Sequence, residues 1–259
     1  QPEDMIWIHD YHLMLLPQML REKLPQHSIG FFLHIPFPDY EIYRLLPWRK
    51  ELLEGILGAD LIGFHTHDYV RHCLESISRL MGLDHSLGEV IRKDRIVKVD
   101  AHPMGIHFEK YAQAIQLKKV QKASRQILEK GKGCKIILSV DRLDYTKGIM
   151  ERLEAYDLFL TQNPQYRGKV ILILLAVPSR IYIDQYQNLK KQVEGLIGKI
   201  NGTHGNFGWM PVWYLYRSLT FPKLAALYQA SDIALITPLR DGMNLIAKEF
   251  IASKMKTGV

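Results

Sequence analysis

What the sequence lacks narrows the field first. Cysteine occurs only at Cys73 and Cys134, which are too far apart in sequence for a metal or redox spacing. Both read as buried thiols in a reducing cytosol rather than as a disulfide framework. The longer apolar runs, such as 170–177, fall far short of a bilayer span, so no membrane partner is expected. No basic-then-apolar leader opens the chain, so nothing directs secretion and a cytoplasmic location is expected. No G-x-x-x-x-G-K-[ST] segment occurs, which excludes a Walker A phosphate loop. Internal repeats and low-complexity tracts are absent. His9 with His12, and His65 with His67, have tolerable ligand spacing but no partner carboxylate motif, so no metal site is expected.

What is present describes a soluble globular protein. Hydrophobic residues make up 47% and charged ones 24%, the balance of a chain that can bury a core. At 259 residues the chain has room for two domains of ordinary size. Its net charge of +7 favours anionic partners. Nucleic acid is not expected among them. The densest basic stretch, 118–135, has no aromatic residue between its charges to stack on bases, and reads as a solvated helix face.

Apolar strand-like runs alternate with helical patterns almost throughout, which signals parallel α/β architecture. In the first half strands are expected at 5–9, 29–34, 60–65 and 96–102, with helices at 11–24, 40–57 (broken at Pro47) and 67–81. In the second half strands fall near 135–140, 169–176, 212–216 and 233–237, with helices near 148–161, 183–201, 221–230 and 245–254. The punctuation Pro103-Met104-Gly105-Ile106 sets a boundary near residue 110. The expected domains are therefore 1–110 and 111–259, two Rossmann-like sheets facing one another across a cleft. Four strands would leave the first sheet with an uncovered edge, and both ends of the chain look cut, as in a fragment.

Several strand ends carry polar residues where an open parallel sheet binds ligands. In the run IALITPLRDGMNLIAKE, a strand stops at Pro238 and a sharp turn through Asp241 and Gly242 opens a helix. Helix N-termini attract anions. Asp241 is expected at the lip of the site and Glu249 about two turns into the helix, a spacing that suits a sugar and a ribose of one nucleotide sugar. In SVDRLDYTKG, Arg142 and Lys147 bracket a loop that ends at Gly148, and together form a strong diphosphate grip. The plainer alternative is an ordinary turn in which both cations pair with Asp141 and Asp144. In WIHDYH and FFLHIPFP, Asp10 could accept hydrogen bonds from sugar hydroxyls and His34 could donate one, with Pro36 and Pro38 stiffening the loop. In AVPSR, Arg180 suits a phosphate monoester. Trp209, Trp213, Tyr214 and Tyr216 read as packing rather than as a sugar platform.

Taken together, HDYHLMLLP, FFLHIPFP, GADLIGFHTHDY, VDRLDYTKGI, AVPSR and PLRDGMNLIAKE closely resemble the trehalose-6-phosphate synthase family, retaining glycosyltransferases of family 20 with the GT-B fold. The likeness runs along nearly the whole chain. It implies transfer of glucose from UDP-glucose to glucose 6-phosphate with retention, giving α,α-trehalose 6-phosphate and UDP. By this resemblance, Arg142 and Lys147 neutralise the diphosphate, while His34 and Asp241 hold the donor glucose. Leu219, Gly242, Met243, Asn244, Leu245, Ile246, Ala247, Lys248 and Glu249 complete the donor site, with Glu249 on the ribose hydroxyls. Asp10 and Arg180 take the acceptor, Arg180 through its phosphate.

No cofactor or metal is implied, UDP-glucose being a co-substrate. No pair of carboxylates stands as nucleophile and acid, so the hydrolase scheme transfers poorly; the family is described by same-face attack, with the leaving phosphate taking the acceptor's proton. Some members of the family carry a fused phosphatase domain, so a homo-oligomer or a fused or partner trehalose-phosphate phosphatase is a further expected association. The resemblance also implies that N-terminal and C-terminal portions lie outside this chain, which alone is expected to bind UDP-sugar weakly and not to turn over. Two other readings stand beside it: glucosylglycerol-phosphate synthase, with a different phosphorylated acceptor, and a non-catalytic regulatory relative.

Overall fold

The computed structural model describes residues 4–92 and 95–254. The chain divides into two compact units, Gln1–Met104 and Gly105–Val259, a few residues before the expected boundary.

In the first unit the elements are β1 (Ile6–His9), α1 (Leu16–Lys23), β2 (Ile29–Phe32), α2 (Tyr40–Tyr43), α3 (Arg49–Ile56), β3 (Leu61–Phe64), α4 (His67–Met81), β4 (His85–Ser86), β5 (Glu89–Ile91) and β6 (Ile96–Ala101). The sheet order is β1-β2-β3-β6-β5-β4. Its first four members are parallel, and β5 and β4 run antiparallel. Every residue of β2 is buried, which is why it reads as a continuous apolar run instead of an alternating one. Phe31, Ile62, Phe64, Leu53, Ile56 and Ile77 form the centre of this core.

Three expectations meet the structure here, and two of them are corrected. The helix expected at 11–24 starts only at Leu16, because Asp10 leaves β1 with φ 72° and ψ 166° and a tight turn follows at Tyr11–Leu13. The helix expected at 40–57 with a break at Pro47 is, as expected, two short helices, because Pro47 supplies no backbone N–H and disfavours the helical conformation before it. The third is the hairpin of β4 and β5, which continues the sheet beyond β6 where a bare edge was expected. Leu87 (φ 50°) and Gly88 (φ 84°) make its turn, both at the positive φ of a primed hairpin turn.

The second unit contains α5 (Phe108–Ala114), α6 (Lys118–Gly131), β7 (Lys135–Arg142), α7 (Ile149–Gln162), β8 (Val170–Val177), α8 (Asp184–His204), β9 (Val212–Tyr216), α9 (Phe221–Ala230), β10 (Ile233–Ala234) and α10 (Leu245–Ala252). Its strands are all parallel, in the order β10-β7-β8-β9. The central strand β8 is buried from Val170 to Ala176. Leu153, Tyr156 and Leu160 of α7 share its core with Leu189, Val193, Ile197 and Ile200 of α8. Each fully buried aliphatic side chain of this kind contributes roughly 1.5–3 kcal/mol.

The aromatic residues of 209–216 belong to this core. Trp209 is buried and its Nε1 donates to Val170 O at 2.9 Å, while Trp213, Tyr214 and Tyr216 pack against the same cluster. The strand expected at 233–237 pairs over two residues only, with Leu235 N adding one further bond to Leu138 O at 2.8 Å.

This order positions a site. From β7 the chain builds β8 and β9 to one side and then crosses back to place β10 on the other. At such a reversal the two connections leave the strand ends in opposite directions and open a crevice past their carboxyl ends. In this unit that crevice lies beyond β7 and β10.

Candidate functional site

The loops after β7 and β10 are cross-braced. Leu239 N and Arg240 N both donate to Thr146 O, at 2.9 and 3.2 Å. Gly148 ends the turn at Tyr145–Lys147 with φ 63°, and a Cβ there would collide with the Thr237 carbonyl oxygen. Glycine is required twice over, for its backbone angle and for the close approach.

Beneath this seam lies Arg152, whose side chain is 1% exposed. Its Nη1 donates to Asp141 Oδ2 at 2.7 Å and to Ser139 Oγ, its Nε to Thr237 Oγ1 at 3.1 Å, and its Nη2 to Lys147 O at 2.9 Å. One buried guanidinium thus joins β7, the Lys147 turn and the loop after β10. Burial pushes the Asp141 carboxyl above its ordinary range, and Arg152 and Lys147 oppose that rise. Sequence reading missed Arg152. Its signal was a cation within the apolar stripe Ile149, Leu153, Tyr156 and Leu160 of α7, where a solvated arginine has no place.

A cavity of about 300 Å³ opens above this scaffold. Its lining includes Asp141, Arg142, Lys147, Asp241, Met243, Asn244, Leu245 and Ile246, so most of the expected diphosphate and helix-start residues meet in one place. Gly242, whose N–H donates to Asp241 Oδ1 at 3.1 Å, lies outside the lining, as do Leu219, Ala247, Lys248, Glu249 and Arg180. Lys147 Nζ pairs with Asp241 Oδ2 at 2.7 Å, and Asn244 Nδ2 donates to the same oxygen at 3.2 Å. The plainer pairing of both cations with Asp141 and Asp144 is therefore absent. Asp141 belongs to Arg152, Lys147 to Asp241, and Arg142 is exposed with no ion pair among the described residues.

Asn244 Oδ1 accepts from Ala247 N at 3.0 Å and caps α10, leaving Leu245 and Ile246 in a first turn whose N–H groups have no intrahelical acceptor. Since the helix begins at Leu245, Glu249 lies little more than one turn in, not two. Its Oε2 accepts from Tyr228 OH at 2.6 Å, and Tyr111 also bonds to it. Burial first, then the Glu249 charge, pushes the Tyr111 phenol up to about 12. A carboxylate with two phenol donors keeps acceptor capacity for further hydroxyls. Leu219 packs against the core of the unit from the β9–α9 loop.

Arg180 lies beyond β8 with φ 45°. Its Nη1 donates to Tyr186 OH at 2.8 Å, and that hydroxyl donates to Asp144 Oδ2 at 3.0 Å.

In the first unit, the polar residues again follow the strands. His9 at the end of β1 and His34 just past β2 are hydrogen-bonded, Nδ1 to Nε2 at 3.0 Å, with rings stacked at 5.2 Å. Phe32 and His65 flank His34 at 4.8 and 5.6 Å between ring centroids. Asp10 follows His9 in a backbone region that is essentially reserved for glycine, and its buried Oδ1 has no hydrogen-bond partner among the described residues. That oxygen has acceptor capacity to spare. Among the described residues no group of His, Cys, Asp and Glu is arranged to hold a metal, and no helix is long and apolar enough to cross a membrane.

Comparison with known proteins gives the family. Residues 1–259 match the family described as glycosyltransferase family 20. The chain is 49% identical over 251 residues to alpha,alpha-trehalose-phosphate synthase [UDP-forming] A of Dictyostelium discoideum, covering 97% of this chain and 34% of that protein. It is 46% identical to a bifunctional trehalose-6-phosphate synthase/phosphatase of Thermoproteus tenax, covering 98% of this chain and 35% of that one.

Among solved structures, the E. coli trehalose-6-phosphate structure bound with UDP-2-fluoro glucose superposes with a TM-score of 0.93 at 38% identity, covering 98% of this chain and 57% of that chain. The UDP-forming synthase of Burkholderia xenovorans in complex with glucose-6-phosphate gives 0.92 at 35% identity, covering 98% and 58%. The N-terminal domain of Candida albicans trehalose-6-phosphate phosphatase gives 0.91 at 36% identity, covering 98% and 55%. The chain thus spans between about a third and three fifths of these proteins. The GT-B-type α/β class expected from the motifs stands on these likenesses. With the family match running from end to end and the relatives close to half identical, the chain belongs to glycosyltransferase family 20.

Proposed function

We propose that the whole protein is an α,α-trehalose-phosphate synthase that moves glucose from UDP-glucose to glucose 6-phosphate with retention, releasing UDP. The observation that carries this reading is the cavity past β7 and β10, where an unpaired Arg142, the Lys147–Asp241 pair and the capped start of α10 converge. A sugar diphosphate entering there draws Lys147 away from Asp241, and the released carboxylate accepts from the sugar hydroxyls. Arg142 and Lys147 then face the diphosphate, which gains charge as the glycosidic bond breaks. Cations placed where charge develops lower the barrier instead of only tightening binding. Glu249, held by two tyrosines, takes the ribose.

Within the first unit Asp10 reads as an acceptor contact and His34 as a donor-sugar contact, and within the second Arg180 reads as the acceptor's phosphate contact. It assigns no metal or cofactor. It places the protein in the cytoplasm, in keeping with Cys73 and Cys134 as free thiols. A homo-oligomer is an expectation of the same reading. So is a fused or partner phosphatase, supported by the bifunctional relative. Calorimetry of UDP-glucose against the protein and its Glu249→Ala variant tests the donor site. Binding lost in the variant supports the reading, and equal binding in both removes Glu249 from it.

A second reading has its own support, since one of the similar structures is the N-terminal domain of a phosphatase. On that reading the fold serves as a synthase-like module without turnover. Release of UDP from UDP-glucose and glucose 6-phosphate by the whole protein decides between the two.

A further inference from the structure

Side chains from three separate segments of the second unit form one hydrogen-bonded line. Arg180 Nη1 donates to Tyr186 OH at 2.8 Å, and Tyr186 donates onward to Asp144 Oδ2 at 3.0 Å. Asp144 uses its other oxygen, Oδ1, to accept from Thr146 N at 3.0 Å and Thr146 Oγ1 at 2.9 Å, which closes the turn carrying Lys147. The line therefore runs from the guanidinium beyond β8 to the turn beyond β7.

Its middle member is built in. Tyr186 is 3% exposed, and its ring packs at 5.4 Å from Tyr145 of the same turn and lies 5.6 Å below the Arg180 guanidinium. Arg180 itself is held at φ 45°, a left-handed conformation that costs a non-glycine residue roughly 1 kcal/mol or more. The charge states suit the line. Burial raises the Tyr186 phenol to about 12, so it remains a donor at neutral pH. Burial opposes ionisation of Asp144, but hydrogen bonds from Thr146 and Tyr186 and the Arg180 charge outweigh it and hold the carboxyl below its usual range.

We propose that Tyr186 is a positioning residue that couples phosphate capture by Arg180 to the Lys147 turn, so that the phosphorylated acceptor and the nucleotide each tighten binding of the other. This rests on the donor and acceptor assignments above. A guanidinium has several N–H donors, so Arg180 can take a phosphate while Nη1 stays on the phenol. Anchoring Arg180 fixes Tyr186, and fixing Tyr186 fixes Asp144 and the turn that presents Lys147. The second ligand then orders less of the protein for itself, which is positive cooperativity, and the coupling is reciprocal by linkage.

The test is calorimetry of UDP binding to the whole protein, with and without saturating glucose 6-phosphate. In the wild type, glucose 6-phosphate should tighten UDP by about tenfold, inside the usual range of coupling between sites. In Tyr186→Phe, which keeps the ring and removes only the hydroxyl, that factor should fall to about one, with UDP affinity measured alone changed by less than about twofold. Asp144→Asn keeps an oxygen for Thr146 but turns an N–H toward the phenol, so it should lose the coupling as well. Steady-state rates should show the loss as a raised KM for both substrates with kcat nearly unchanged. A merely structural role for Tyr186 would lower UDP affinity in the absence of acceptor, and that result overturns the proposal. Equal coupling in wild type and variants, or none in the wild type, also overturns it and leaves the donor site standing. A wild type that binds no UDP overturns the synthase reading, and the coupling with it.

Discussion

At the strand ends of the first unit, Asp10 holds a glycine-like backbone and keeps a buried carboxylate oxygen without a partner, and His34 leans on His9 at 3.0 Å. At the strand ends of the second unit, Asp141 is matched by the buried Arg152, and Asp144 by Thr146 and Tyr186. Both sets sit past parallel strands and both carry carboxylates, yet one is left unsatisfied and the other is internally neutralised. The difference teaches which polar groups are scaffold. A carboxylate with built-in partners holds loops in place, whereas a carboxylate on a strained backbone detracts from stability and, on the proposed reading, is kept for the acceptor.

The sharpest way to break this contrast is to remove the scaffold. Arg152→Met should destabilise the second unit by about 3–5 kcal/mol, because Asp141 is left buried without its counterion. A urea midpoint unchanged from wild type would show that the buried pair is not what holds these loops. Next comes Arg142→Ala, which touches no ion pair and should leave that midpoint alone. It should cut turnover of the whole protein by at least about a hundredfold, the scale for one charge-stabilising contact; wild-type rates would remove Arg142 from the donor site.

The opposite sign is expected in the first unit. Asp10→Gly relieves a backbone strain of about 1–3 kcal/mol, less the extra freedom of glycine when unfolded, so the variant should be more stable by roughly 1 kcal/mol and yet turn over poorly. A less stable variant would mean that Asp10 is scaffold after all.

The smallest effect concerns Asp232, which binds Lys135 Nζ at 2.7 Å and Ile136 N at 2.8 Å and so pins β10 beside β7. Burial works against its ionisation, but the Lys135 and Ile136 hydrogen bonds prevail and lower its pKa. A lowered carboxyl contributes stability above its unfolded value of about 3.9 and loses it as the pH falls through the folded value. Asp232→Asn should therefore cost at most about 1 kcal/mol at neutral pH, since the pair is partly exposed, and nothing once the pH has fallen well below the folded value. A penalty that persists in acid would point to shape rather than charge.

How much of this was legible in the sequence depended on the kind of signal. Parallel strands such as β8 are written as unbroken apolar runs, and the turns after β7 and β10 are written in glycine, proline and charge, so the fold class and the Arg142, Lys147 and Asp241 neighbourhood could be read directly. The β4–β5 hairpin could not, because its primed turn is Leu87-Gly88, with a leucine where asparagine or aspartate gives the usual cue. Nor could the partner of each carboxylate. Asp141 finds its cation in Arg152, and Asp144 its donor in Tyr186, 42 residues on in the chain, and no spacing rule spans such a distance. Charge can be counted in a sequence, but pairing is a property of the folded chain.

The seam between the two loops of the second unit has a consequence for the speed and heat of binding. With Thr146 O accepting from both Leu239 and Arg240, and Gly148 pressed against Thr237, these loops move as one body before any ligand arrives. Part of the conformational freedom that two floppy phosphate loops would surrender on binding has already been surrendered on folding, and what remains is motion of the joined loops together. Nucleotide association should thus be a single fast phase, and its entropic cost should fall further once the acceptor restrains the Lys147 turn through Arg180 and Tyr186.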